Sequence, residues 1–195
     1  MKSSLRIKAK KKRALITLNS ESENTFLKYI NSCLDKVLSI DNNIKVIGLY
    51  YPILNEIPPF GFIKYLKTKH ITTALPVVQI NTKVMVFKKW DKKENLQKGC
   101  LGNYEPALTN KTVLPQIIVV PMVMFDRKLN RLGYGGGYYD KSIFSLRQNF
   151  YRKEKNFFAI GLAYSEQETK SIPYESHDQK LDFIVTEKEI LSKVD

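Results

Sequence analysis

Apolar positions along the chain follow two periods, and the elements they predict alternate. From Glu21 to Ser39, Phe26, Leu27, Ile30, Leu34, Val37 and Leu38 recur at helical spacing. Asp41-Asn42-Asn43 is a turn signal. Ile44–Tyr51 (IKVIGLYY) then reads as a buried strand that Pro52 stops. Pro58-Pro59 opens a predicted helix through Lys67, since proline suits the first turn. Short strands are predicted at Ala74–Val78, Lys83–Phe87, Gln116–Pro121, Phe157–Ala163 and Asp182–Thr186. Helices are predicted at 2–18, Tyr138–Gln148 and Glu187–Lys193. Lys88–Asn110 has little pattern and reads as an excursion or flap over one face.

Apolar strands alternating with helices predict an α/β protein: a three-layer α/β/α arrangement with a mainly parallel central sheet. No repeat or linker divides the chain, so residues 1–195 are expected to form one domain. The longest apolar run, Ile117–Phe125, is interrupted by Pro121 and falls far short of the roughly 20 residues a membrane helix needs. No membrane partner is expected. The basic start runs into Ala14-Leu15-Ile16-Thr17-Leu18, too short an apolar stretch for an export signal. Cys33 and Cys100 form no CxxC and no cluster with His70 and His177. They read as free thiols in a cytoplasmic protein, expected to be monomeric.

Charge narrows the partners. The net charge is +13, and about half of the excess lies within residues 1–13. Ligands bearing phosphate or carboxylate are favoured by such a balance. On a helix, Lys2, Arg6 and Arg13 fall within about 40° of one another, a stripe able to meet a triphosphate. Lys8, Lys11 and Lys12 suit a solvated face instead.

The sharpest local signal is Arg131-Leu132-Gly133-Tyr134-Gly135-Gly136-Gly137-Tyr138-Tyr139-Asp140. It follows an apolar strand and precedes a predicted helix. Converging backbone N–H groups and the positive end of a helix make such a loop an anion cradle. There is no GK[ST], and GxGGG is not GxGxxG, so neither the P-loop nor the dinucleotide fingerprint applies. Arg131 can fork onto phosphate oxygens. Asp140 is placed to hold Mg²⁺ between phosphates. Asp126 either takes part in the site or caps a turn. A basic nucleic-acid binder would give no reason for a glycine loop followed by Tyr-Tyr-Asp, so nucleic acid is not an expected partner.

The ordered series of segments resembles the 5-formyltetrahydrofolate cyclo-ligase family. The resemblance is carried by Lys2 and Arg6, Tyr50-Tyr51-Pro52 with Glu56, Leu75-Pro76, Met85 and Trp90, and Glu105-Pro106. Its most specific part is Val119-Val120-Pro121, Phe125-Asp126 and the run from Arg131 to Asp140. Ile172-Pro173, His177-Asp178, Leu181-Asp182 and Val185-Thr186-Glu187 complete it. The chain departs from the family pattern at Met122 and Leu129, where glycine is usual, and at Ile57-Pro58-Pro59.

The resemblance implies ATP-dependent conversion of 5-formyltetrahydrofolate, with or without a polyglutamate tail, to 5,10-methenyltetrahydrofolate, ADP and phosphate. It implies ATP contacts at Lys2, Arg6, Arg131, Leu132, Gly133, Tyr134, Gly135, Gly136, Gly137, Tyr138 and Tyr139, with Arg131 and Tyr139 as catalytic positions. Folate contacts are implied at Tyr51, Glu56, Trp90 and Tyr138, and Mg²⁺ at Asp140. Read from the residues alone, Trp90 serves equally well as core packing, and His177-Asp178 as a pair that fixes a loop.

Overall fold

The structure, a computed structural model, describes residues 2–17, 20–91 and 94–193. Its frame is an eight-stranded sheet. In chain order the strands are β1 (Val46–Gly48), β2 (Thr72–Val77), β3 (Val86–Lys89), β6 (Thr112–Val113), β7 (Ile117–Pro121), β10 (Phe158–Leu162), β11 (Phe183–Val185) and β12 (Ile190–Ser192). Two small hairpins lie outside it: β4 (Gln97–Lys98) with β5 (Tyr104–Glu105), and β8 (Met124–Phe125) with β9 (Arg131–Leu132). Helices α1 (Lys2–Ala14), α2 (Ser20–Ile40), α3 (Ile63–Thr68) and α4 (Tyr138–Tyr151) complete it.

The sheet order is β12-β11-β10-β7-β1-β2-β3-β6. The five central strands, β11 through β2, pair parallel, while β12, β3 and β6 join antiparallel at the edges. The chain leaves β1 for β2 on one side and later returns to β7 on the other. The carboxyl ends of β1 and β7 therefore flank a topological switch point, where open α/β sheets bind ligands.

Alternation along β7 shows the layering. Ile117 and Val119 face a core shared with Ile30, Leu34 and Val37 of α2 and Leu66 of α3. Ile118 and Val120 face a second core shared with Ile143, Leu146 and Phe150 of α4. The three-layer α/β/α arrangement with a mainly parallel sheet is thus the observed one. Each large apolar side chain so buried contributes about 1.5–3 kcal/mol.

Three local readings are corrected. The segment after Thr186 is strand β12 rather than a helix, because it pairs with the open edge of β11. Thr186 closes that turn, its Oγ1 accepting from the Lys188 and Glu189 N–H groups. Helix α3 begins at Ile63, and Pro58 precedes turns rather than a first helical turn. Helix α1 ends at Ala14, and Leu18, the predicted end, lies outside the described residues.

Candidate active site

A cavity of about 730 Å³ opens at the carboxyl ends of β1, β2 and β7. One wall is the loop from Arg131 to Gly137, which leads into α4. Gly137 precedes the helix with φ 75°, and Gly135 has φ 103°. These left-handed conformations favour glycine and let the backbone reach the helix N-terminus in a tight turn. That N-terminus carries partial positive charge into the cavity.

Arginine and lysine side chains complete the cradle. Arg6 reaches from α1 to donate through Nε to the Gly133 carbonyl at 2.9 Å. Lys2 lines the same wall, with Nζ 2.7 Å from Asp178 and 3.1 Å from Glu175. Arg131 is nearly enclosed; its Nη2 donates to Asp140 Oδ1 at 2.7 Å, and its Nε has no partner. Asp140 Oδ1 also accepts from the Gln179 N–H at 3.0 Å. Both bonds fall on Oδ1, so Oδ2 is the oxygen available to a cation. Among the described residues, no group of three His, Cys, Asp or Glu could hold a metal by itself. A lone carboxylate oxygen suits Mg²⁺ that draws its other ligands from phosphate and water.

The opposite wall is aromatic and apolar. Tyr51 packs on Tyr104 (centroids 5.1 Å apart) and on Phe60 (5.6 Å). Leu101, Gly102, Asn103 and Tyr104 of the β4–β5 hairpin border the cavity, so the hairpin within the expected excursion lies over the carboxyl-end crevice, whereas Lys88 and Lys89 belong to β3 of the main sheet. Buried Glu105 anchors it, its Oε1 accepting from the Val78 N–H at 2.9 Å. Between the walls sits Glu56. Its Oε2 accepts from the Ile53 N–H at 2.9 Å, while Oε1 is enclosed without a hydrogen bond. Burial pushes its carboxyl above the usual range, against the Ile53 N–H, the Arg13 charge and the Tyr134 hydroxyl, which lower it.

Tyr139 also borders the cavity. Burial, with the charge of Glu56, drives its hydroxyl far above the usual range despite Arg131, so it stays a neutral donor. The Arg131 guanidinium lies 5.9 Å from its ring centroid.

Of the predicted site residues, Lys2, Arg6, Tyr51, Glu56, Asp140 and the run Arg131–Tyr139 share this one cavity. Trp90 does not border it. Its indole is buried in the core, 5.5 Å from Phe60, and its Nε1 donates to the Glu94 carbonyl. Trp90 thus supports Phe60, which supports Tyr51. Arg13 is also corrected: it leaves the stripe that Lys2 and Arg6 bring to the cavity and is buried behind it. His177 and Asp178 reach the rim, where Asp178 and Glu175 hold Lys2. Asp126 caps the β8–β9 turn, its Oδ1 accepting from the Lys128 and Asn130 N–H groups. Within that turn Leu129 takes the left-handed conformation (φ 63°). Met122 fills the space above Gly161, where an added Cβ would lie 2.2 Å from its Cε.

Fold and crevice together define an α/β protein whose cavity sets a glycine-loop cradle against an aromatic wall. A family model described as the 5-formyltetrahydrofolate cyclo-ligase family matches residues 1–187, and the chain belongs to that family. It is 34% identical over 142 residues to the 5-formyltetrahydrofolate cyclo-ligase of Haemophilus influenzae, covering 70% of this chain and 73% of that one. It is 29% identical over 160 residues to the Mycoplasma pneumoniae cyclo-ligase, covering 82% and 83%. The solved structure of Aquifex aeolicus 5,10-methenyltetrahydrofolate synthetase superposes with a TM-score of 0.70 at 30% identity, covering all of this chain and 93% of that one.

Proposed function

We propose that this chain is an ATP- and Mg²⁺-dependent 5-formyltetrahydrofolate cyclo-ligase that forms 5,10-methenyltetrahydrofolate, ADP and phosphate. The observation that carries the reading is one cavity joining the Arg131–Gly137 cradle to Tyr51, Tyr138 and Glu56. One end suits a triphosphate, and the other a flat, hydrogen-bonding ring with an aromatic arm. Family membership supports the same substrates.

The chemistry follows from what the formyl group resists. It is an amide on N5, too unreactive for direct attack by N10. Transfer of the γ-phosphoryl group to the formyl oxygen forms an O–P bond and breaks the bond to ADP. The N10 lone pair then attacks the activated carbon, the C–O bond breaks, phosphate departs with its electrons, and N10 loses its proton. Such transfer asks a protein mainly for positioning and charge stabilisation. The loop N–H groups, Lys2, Arg6 and Arg131 orient the phosphates and neutralise them. Neutral Tyr139 can donate a hydrogen bond beside Arg131. Asp140 holds Mg²⁺, which when bound neutralises phosphate charge. Glu56 accepts hydrogen bonds from the pterin, and Tyr51 and Tyr138 flank its rings.

The test mixes the purified chain with 5-formyltetrahydrofolate and Mg-ATP and follows the near-ultraviolet band of the methenyl product. Growth that requires ATP is expected. A folded protein that gives no such band overturns the reading.

A further inference from the structure

Helix α1 carries a buried cation that the cradle does not use. Arg13 is 2% exposed and lies outside the cavity lining. Its Nη1 donates to the Met122 carbonyl at 3.0 Å, and its Nη2 to the Tyr134 hydroxyl. Nη1 also stands 4.0 Å from Glu56 Oε1, the enclosed oxygen that lacks a hydrogen bond. The Arg13 guanidinium lies 5.5 Å from the Tyr134 ring centroid, and Lys10 Nζ lies 4.6 Å from the same ring. One buried cation therefore links the glycine loop to the carboxylate that sits between the cavity walls. For packing alone an apolar side chain would serve at lower cost, since burying a guanidinium is unfavourable unless it is paired.

We propose that Arg13 is a positioning residue for the reaction: its guanidinium holds Glu56 and Tyr134 in one network, so that Glu56 meets the bound folate as a carboxylate acceptor beside a correctly seated glycine loop. The kinetic part of the proposal rests on the cyclo-ligase reading; the electrostatic part does not. The titratable groups facing Glu56 are Arg13 from α1, Tyr134 from the loop, Tyr50 after β1 and Tyr139 from α4. The three phenols are pushed upward by burial and stay neutral. Arg13 supplies the positive charge in this set. Without it, burial dominates and Glu56 takes up a proton more readily. A protonated acid presents a donor where the ring needs an acceptor.

The test uses the full chain with Arg13→Met, Arg13→Gln and Arg13→Lys. Carbon-13 NMR of the glutamate carboxyls, with Glu56 assigned through Glu56→Gln, reads its titration without any ligand. In Arg13→Met the midpoint is expected to rise by about one pH unit or more, a tenfold change in proton affinity. The KM for 5-formyltetrahydrofolate should rise about tenfold at neutral pH and recover toward alkaline pH. The KM for ATP should rise by a smaller factor that does not vary with pH, because Tyr134 loses the same contact at every pH, and Arg13→Lys should restore part of the folate KM. Should Arg13→Met fail to fold, Arg13→Gln carries the same readouts. An unmoved Glu56 midpoint in a folded neutral variant overturns the proposal whether or not the wild type turns over folate. A loss of activity equal at every pH overturns it too, since that is what lost packing alone would give. Absence of wild-type turnover instead overturns the cyclo-ligase reading, and the titration still decides the role of Arg13.

Discussion

Arg131 and Asp140 close the glycine loop on itself: Nη2 donates to Oδ1 at 2.7 Å across the mouth of α4. The cation that would meet phosphate is thereby held by the carboxylate proposed to hold the metal. Arg131→Ala should lower turnover with ATP by about 10²-fold or more, the scale of losing a charge-stabilising donor. It also leaves Asp140 with the Gln179 N–H alone, at a cost of about 1–3 kcal/mol. A fall in Tm of several degrees should accompany the loss. Product formation and a thermal melt on the same sample check both parts; wild-type turnover removes Arg131 from the site.

Asp140→Asn separates the two duties. The amide oxygen can still accept from Arg131 and from the Gln179 N–H, but it no longer carries charge. The Mg²⁺ concentration giving half-maximal rate should rise about tenfold or more, with little change in Tm. A Mg²⁺ titration at saturating ATP tests this, and an unchanged curve refutes the metal role.

Gly135→Ala meets two obstacles. Its φ of 103° disfavours any L side chain, and the new Cβ would sit 3.2 Å from the Arg6 guanidinium carbon. The strain should cost about 1–3 kcal/mol and raise the KM for ATP by displacing Arg6. Gly102→Ala is the control: φ is 79°, but the Cβ meets nothing within 4 Å. It should lower Tm while leaving the KM for ATP unchanged. If the two variants behave alike toward ATP, the close approach of Arg6 has no kinetic importance.

Glu56 sets a pH dependence whose sign is fixed. Its carboxyl is held above the ordinary glutamate value of 4.5 in the folded chain, with burial the leading cause. The folded state therefore binds its proton more tightly than the unfolded state does. The resulting contribution to stability is fully present below pH 4.5 and is lost as pH rises through the folded value. Relative to Glu56→Gln, the wild type should lose stability between acid and neutral pH. Chemical denaturation of both proteins across that range reads the difference; an offset constant with pH would contradict the burial of this carboxylate.

Much of this arrangement is legible in the residues. The period of α2 marks the helix face that packs on the sheet, the unbroken apolar run Ile117–Pro121 marks a buried strand, and glycines ahead of Tyr-Tyr-Asp mark the cradle. What escapes has a physical reason. Helical angle places Arg13 with Lys2 and Arg6 but carries no depth. Seven residues beyond Arg6 is about 10 Å along the axis, enough to pass the cavity and end beneath it. Trp90 could serve as wall or core, and only the position of Phe60 decides between them. The segment after Thr186 is too short to distinguish period 3.6 from period 2, and the free edge of β11 decides it. Leu129 accepts the left-handed turn because Asp126 fixes the backbone on either side of it.

Helix α1 buries only Ala9 and Arg13, and it leaves Ile7 exposed, as is Leu15 just after it. It adheres through ion pairs and hydrogen bonds rather than through an apolar stripe, while α2 is locked into the core. The end of the site proposed to bind nucleotide is therefore part scaffold and part strap. Salt screens such contacts, so the strap should exchange its amide hydrogens well before α2 does, and sooner as ionic strength rises. A bound triphosphate bridging Lys2, Arg6 and the loop would slow that exchange. Some of any nucleotide affinity would then go into fastening this helix.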